Sequence, residues 1–348
     1  MGELYVVAQN LRGKAAAIRG LTFPNFLGDR IQAPSGLPFS EVAAENISQN
    51  QRGLVQYMTV AKNEKLRLAE ALESVASAYD QVDQQWQQQL DADSRSAPEP
   101  IVPQPPSTPA LPPPFPISKP AQVRDDGGFR TPPDTEAALS AGDQGASLTA
   151  AVQSWLAKSS ELTLGAEEFQ AVPPGWEGSA AESADVRFGA FKAWLDDLAL
   201  TWQYLAAEAA KVALAHTTAR AQHTPVAEEY VQLEQVRLNA MLNGNSGVAV
   251  LAASQMQTLQ NESEDIRDVY SRNSSTDPAV PGDVPPATVS SMPVSATDGP
   301  IGRARETKAD YLNPTGGGGH QGSGGGGGAA ASPAGGGGGA APPPPPDP

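Results

Sequence analysis

The sequence predicts an all-α protein, an elongated antiparallel helical bundle. Three observations carry that prediction. Apolar residues recur at steps of three and four through two long stretches. No segment shows the strict alternation of a strand. A tight Pro-Pro-Gly-Trp turn joins two of the helical stretches, so those two run antiparallel.

Taken in order, Leu4, Val7, Ala8, Leu11, Ala15 and Ile18 define a first amphipathic helix over Glu3–Arg19, ended by Gly20. Leu21–Pro38 holds Pro24, Gly28, Pro34 and Gly36 and reads as an irregular connection. Ser40 is the expected N-cap of a helix reaching Asp91. Its seam is Leu54, Met58, Ala61, Leu68, Leu72, Val75, Tyr79, Val82 and Trp86, interrupted only by Lys65. That spacing averages about 3.5 residues, the period of long helices packed side by side. A helix of about 50 residues would run roughly 75 Å.

A proline-rich stretch from Ser96 to Pro133, centred on Pro112-Pro113-Pro114, reads as a disordered or polyproline-like linker. A simple spacer is the default for such a segment, and a ligand for an SH3-like domain is the alternative. Helical signal resumes near Thr135 and strengthens after Gly145, with Leu148, Val152, Trp155, Leu162 and Phe169 on one face. Pro173-Pro174-Gly175-Trp176-Glu177-Gly178 then makes a stop and a sharp turn. A second seam follows: Ala184, Phe188, Phe191, Leu195, Leu198, Trp202, Leu205, Ala209, Val212, His216 and Ala219. Pro225 is expected to end that helix near His223. Further helices are expected over Val226–Leu242 and Val248–Tyr270, divided by Asn243-Gly244-Asn245-Ser246-Gly247. The remainder is rich in glycine and proline and buries too little apolar surface to offset its ordering entropy. The expected organisation is thus a helical hairpin over 1–94, a disordered linker over 95–134, a second helical region over 135–272 packed with the first, and a disordered tail over 273–348.

Composition removes several function classes. Acidic residues outnumber basic ones 39 to 23, for a net charge of −16. No basic cluster is present to displace counterions from phosphates, so nucleic acid is not an expected partner. The same balance disfavours electrostatic adsorption to an anionic membrane. The chain has no cysteine, which removes disulfides, thiol nucleophiles and thiolate metal sites. No basic segment followed by an apolar core opens the sequence, so no general secretory signal is expected. Gly2 is not followed by Ser or Thr at position 6, where Val6 stands, so myristoylation is not expected either.

Candidate chemistry is sparse. The histidines are His216, His223 and His320. His216 and His223 lie two helical turns apart, too far to share a metal ion unaided, and His216 fits a bundle seam. No nucleophile elbow and no phosphate loop occur; the glycine runs after Thr315 precede no helix. Asp196 and Asp197 point about 100° apart on a helix and cannot act as a facing pair. Neither a catalytic role, a cofactor nor a metal is expected.

Two elements remain. Tyr79 and Asp83 lie on one helix face, one turn apart; Tyr230 to Glu234 has a related form. Trp176-Glu177-Gly178 sits at the turn between two helices, where Gly178 supplies the backbone freedom that a reversal needs. Trp176 is read either as a staple of the turn or as part of an address.

A hairpin carrying Tyr79-x-x-x-Asp83, a linker, and a hairpin carrying Trp176-x-Gly178 together resemble secreted PE/PPE-like substrates of mycobacterial type VII (ESX) secretion, of the EspB family. Gly142-Asp143-Gln144-Gly145-Ala146-Ser147-Leu148, Trp176-Glu177-Gly178-Ser179-Ala180-Ala181 and Arg67-Leu68-Ala69 carry the similarity further, over roughly 37–235. The resemblance implies a PE-like half and a PPE-like half folded as one bundle. It implies a composite export signal of Trp176, Gly178, Tyr79 and Asp83, read by the secretion ATPase or a dedicated chaperone. It also implies ring-shaped homo-oligomers, phospholipid binding and trimming of the tail by a mycosin protease. The implied location is secreted or at the cell surface, and the implied role is structural or virulence-associated, not enzymatic. The alternative is an intracellular helical scaffold that binds partners through the proline-rich linker.

Overall fold

Six α-helices form the architecture, which we describe from a computed structural model covering residues 3–92, 99–126, 128–285 and Val294, with side chains from Val7 onward. They are α1 (Glu3–Gly20), α2 (Pro38–Asp91), α3 (Pro132–Ser140), α4 (Ala146–Ala166), α5 (Ser179–Leu242) and α6 (Ser246–Asn273), with a single 3-10 turn at Glu167–Phe169. All described residues belong to one compact unit, Met1–Arg305. Among them the only strand-like pairing is an isolated bridge between Ile101 and Val294. The all-α expectation holds. None of the described helices is long and apolar enough to cross a membrane.

α1 lies along α2, α4 along α5, and α5 along α6, while α3 packs on α5. Both seams are buried as their spacing requires, from Leu54 to Val82 on α2 and from Ala184 to Ala219 on α5, while Trp86, expected to close the α2 seam, is half-buried. Lys65, the polar residue in the α2 seam, is buried too. Its ammonium donates to the carbonyls of Leu21 and Arg19, at the end of α1, where the last turn leaves acceptors unpaired. The alkyl stem packs in the seam while the charge finds a helix C-terminus.

Three boundaries differ from the sequence expectation. Ser40 is not the N-cap of α2: the helix starts at Pro38, where a missing N–H is of no consequence, and Leu37 is the N-cap residue. The Ser40 hydroxyl accepts instead from the amide of Ser35 at 3.1 Å. α3 begins at Pro132, capped by Thr131, whose hydroxyl oxygen accepts from the Asp134 amide. Pro225 does not end α5, which continues unbroken to Leu242. A proline inside a helix costs about 3 kcal/mol, and the packing around it outweighs that. Val226 and Ala227 are buried beyond the proline. His223 is held between Glu136 of α3 and Ser263 of α6, both at 2.8 Å.

The connection over 21–37 is anchored in the core through Phe23, Phe26 and Leu37. Phe26 stacks on Trp202 of α5 with centroids 4.0 Å apart, and Trp155 of α4 packs on the same indole. Asp29 accepts from the Trp155 indole N–H at 2.9 Å and from Lys158 at 3.2 Å. This loop therefore ties the N-terminal hairpin to the second helical region.

A second tie is the α3–α4 turn. Gly142 has φ +86, and a Cβ there would meet the Ala33 carbonyl oxygen at 2.7 Å, so backbone approaches backbone where only glycine fits. Gln144 follows at φ 58. Its side-chain amide donates to the Ala141 and Leu139 carbonyls and accepts from Arg220 at 2.6 Å. Across the turn, His216 is 1% exposed. Its Nε2 faces Gln144 Oε1 at 3.2 Å and its Nδ1 faces the Tyr270 hydroxyl at 3.4 Å.

Burial, aided by Arg220 and opposed by Asp143, holds the His216 pKa below its usual value. The unfolded chain therefore takes up the proton first as pH falls. The contribution of a neutral His216 to stability is complete above about pH 6.5, the unfolded value, and is lost as pH drops from there toward the folded value. Melting temperatures measured between about pH 7 and about pH 5 should fall less steeply for His216→Gln than for the wild type. Parallel pH profiles would contradict this.

Over 99–126 the proline-rich segment has no helix, as its composition dictates, but it is not a loose spacer there. Asn46 and Ala121 exchange two hydrogen bonds of 2.8 Å, and Asn63 donates to the Pro109 carbonyl at 3.0 Å. Val123 is buried. Beyond α6, residues 274–285 are likewise held. The Asp277 amide donates to Glu208, the Ala279 amide donates to Asn50, and Gly282 is gripped by Trp194 and Asp197. The glycine-rich runs and His320 lie outside the described residues.

Candidate functional site

The site is assembled where the turn after α4 meets α1 and α2. α4 passes through the 3-10 turn, whose Phe169 packs edge-on against Phe188 and Phe191 of α5. That aromatic knot fixes the start of the return. Helical structure ends at Phe169, and beyond it the Trp176 amide closes the turn on the Pro173 carbonyl. Gly175 and Gly178 adopt φ +78 and +100, conformations that an L side chain resists. The Gly178 carbonyl accepts from the Glu182 amide at 3.0 Å and starts α5.

Trp176 is 5% exposed. The indole is therefore not displayed at the turn but folded down onto α2. Its N–H donates to the Tyr79 hydroxyl at 2.9 Å, across 97 positions of sequence. Tyr79 is itself fully buried in the α2 seam. Trp176 is thus a staple, and what it staples is the Tyr79 helix. The two are the members of the predicted constellation that meet directly.

Gly178 is half-buried, and Glu177 beside it is exposed. Asp83 is half-buried, one turn beyond Tyr79, and accepts from Gln87 of its own helix at 3.4 Å. The sequence reading missed the residues that frame this pair. Asn10 of α1 donates to the Pro174 carbonyl at 3.4 Å. Lys14 pairs with Glu168 at 2.8 Å, bridging α1 to the turn. Arg12 pairs with Asp80 on α2. Lys192 of α5 binds both Glu167 at 2.9 Å and Asp196 at 2.8 Å. Those two contacts, Asp196 first, hold the Lys192 ammonium above its ordinary pKa. No local signal marks these residues, because each is an ordinary polar surface residue until the turn is folded down.

Comparison with known proteins bears on what this arrangement belongs to. A family model described as the ESX-1 secreted protein B PE domain matches residues 9–86. A second, described as the PPE domain of the ESX-1 secretion-associated protein EspB, matches residues 133–287. The ESX-1 secretion-associated protein EspB of Mycobacterium tuberculosis, in strains CDC 1551 / Oshkosh and H37Rv, is 25% identical over 262 residues. That alignment takes in 73% of this chain, and the chain spans about half, 54%, of those relatives. Solved structures agree on the fold. Mycobacterium marinum EspB superposes with a TM-score of 0.59 at 21% identity, covering 80% of this chain and 95% of that one. A crystal structure of EspB from the ESX-1 type VII secretion system gives 0.68 at 22%, covering 82% and 98%. With PE and PPE models matched on either side of the proline-rich segment, and the two halves tied into one bundle, the chain belongs to the EspB family of ESX-1 secretion-associated proteins.

Proposed function

We propose that this chain is a secreted substrate of the ESX-1 type VII system, exported through a composite signal made of Trp176, Gly178, Tyr79 and Asp83. The observation that supports it is the buried hydrogen bond from the Trp176 indole to the Tyr79 hydroxyl. It makes the two short motifs one structural unit that exists only when both halves are folded together. In this reading the indole is the internal support. The surface offered to a secretion ATPase or a dedicated chaperone is the rim around it, with exposed Glu177 and half-buried Asp83 and Gly178.

The further roles carried over from the family resemblance are a homo-oligomer, including a ring, trimming of the tail by a mycosin protease, and contact with phospholipid. The net charge of −16 means that phospholipid contact would be made by local features rather than by overall attraction.

The test is Asp83→Ala in a mycobacterial host with an intact ESX-1 system. Asp83 makes its described hydrogen bond with Gln87 of the same helix, so the variant should melt like the wild type. Its level in culture filtrate should drop to background while the cell-associated level is maintained. Wild-type secretion of Asp83→Ala would remove that carboxylate from the signal.

A further inference from the structure

The proline-rich segment contains a feature that the export signal does not use. In Leu111-Pro112-Pro113-Pro114-Phe115-Pro116, four residues (Leu111, Pro112, Pro113 and Phe115) each precede a proline. Ring closure fixes φ at the prolines, and the residue before each is kept out of the helical region. Four of the six residues are thereby kept out of the helical region, and the stretch favours a polyproline II path, roughly 19 Å long at 3.1 Å per residue.

This path is anchored at both ends on α2. Upstream, the Glu70 carboxylate accepts from the Ser107 hydroxyl at 3.1 Å, the Thr108 amide at 2.8 Å and the Thr108 hydroxyl at 2.5 Å. Asn63 adds its bond to the Pro109 carbonyl. Downstream, Ile117 sits on Gly53, so closely that a Cβ there would meet its Cγ1 at 2.7 Å. The Asn46–Ala121 pair completes that anchor. Between the anchors, Phe115 is 80% exposed, and Leu111, Pro112, Pro113 and Pro116 are exposed as well.

We propose that residues 110–116 form a pre-organised docking ridge for a partner protein with an aromatic-lined groove of the kind that reads polyproline helices, with Phe115 and Leu111 entering its pockets. Prolines have no N–H, so the ridge cannot be recognised by strand addition. Recognition falls to the rings and to the carbonyls, which accept from donors such as an indole N–H or a tyrosine hydroxyl. The anchors remove much of the ordering cost that a free peptide meets on binding. A second copy of this chain is a poor occupant, since among the described residues the exposed aromatics are Phe115, Phe129 and Tyr204, too few to line a groove. An anionic lipid surface is disfavoured by the chain's net charge of −16. The inference is independent of the export reading.

The experiment is a binding array of purified SH3, WW, EVH1 and profilin-type domains, titrated with the full chain by fluorescence anisotropy. At least one groove should bind. Phe115→Ala and Leu111→Ala should each weaken that binding about tenfold with an unchanged melting curve, because both side chains are exposed. The anchor variant Glu70→Ala/Asn46→Ala, whose ridge sequence is intact, should weaken it several-fold toward the affinity of a free peptide spanning 105–121. Absence of binding to every domain, or binding that survives the Phe115→Ala/Leu111→Ala double change, overturns the docking ridge. Equal affinities for the chain and the free peptide overturn its pre-organisation.

Discussion

Trp176→Ala is expected to be lost from culture filtrate and to unfold about 3–5 kcal/mol more easily than the wild type. Both effects come from one side chain because the indole is buried on Tyr79 rather than displayed. Removing it opens a cavity beneath the turn and releases the contact that holds α5's start against α2. Tyr79→Phe separates the contributions. It keeps the ring in the seam but removes the acceptor, leaving a buried indole N–H unpaired at a cost of about 1–3 kcal/mol. The expected order of stability is wild type, then Tyr79→Phe, then Trp176→Ala, by urea midpoint. Secretion should track loss of the turn geometry: absent in Trp176→Ala and reduced in Tyr79→Phe. A Trp176→Ala protein that melts like the wild type would contradict the burial. One that is secreted normally would end the proposal that the turn is part of the signal.

The parts legible in the sequence are those whose information is local and periodic. The seams from Leu54 to Val82 and from Ala184 to Ala219 repeat often enough that their members could be assigned to the core, and those are buried; Trp86, the last expected member of the first seam, is half-buried. The turn at Pro173 to Gly178 was legible from its breakers. Pairings across the fold were not. Nothing near Asp29 marks it as the acceptor for the Trp155 indole, and nothing near Lys65 says that the end of α1 will take its ammonium. Pro225 was misread because a local penalty of about 3 kcal/mol is smaller than the burial on either side of it. The meeting of Trp176 with Tyr79 was an expectation of the family resemblance; spacing alone left Trp176 as either staple or signal. A weaker cue was available for the α3–α4 turn, where Gly142 and Gly145 bracket Gln144, since two such glycines mark positions that need positive φ.

Arg267→Met is the other substitution with a large expected effect. Arg267 is 2% exposed on α6. Its guanidinium lies 3.4 Å from the Asp125 carboxylate and donates to the Gly128 carbonyl at 3.1 Å. These contacts fasten the end of the proline-rich segment to α6, just before α3. Burial raises the Asp125 pKa, against the pull of Arg267. Desolvation is therefore the larger influence on this carboxylate, and the arginine offsets only part of it. Taking away the arginine leaves the half-buried Asp125 charge uncompensated, at a cost below the ~3–5 kcal/mol of a fully buried pair, whereas replacing both members by apolar groups of similar size is often neutral. Arg267→Met alone should therefore lower the urea midpoint strongly at neutral pH. The double change Arg267→Met/Asp125→Leu should recover most of that loss. Acidification should rescue the single variant, because protonation discharges Asp125 and removes the penalty; the native state, whose carboxyl has the higher pKa, then gains the proton first and is stabilised as pH falls toward the unfolded carboxylate value of about 3.9. A double variant as unstable as Arg267→Met would mean that the arginine acts through its packed stem and its bond to Gly128 instead. In that case the segment is fastened to α6 by shape and a neutral hydrogen bond, and its position should not respond to pH.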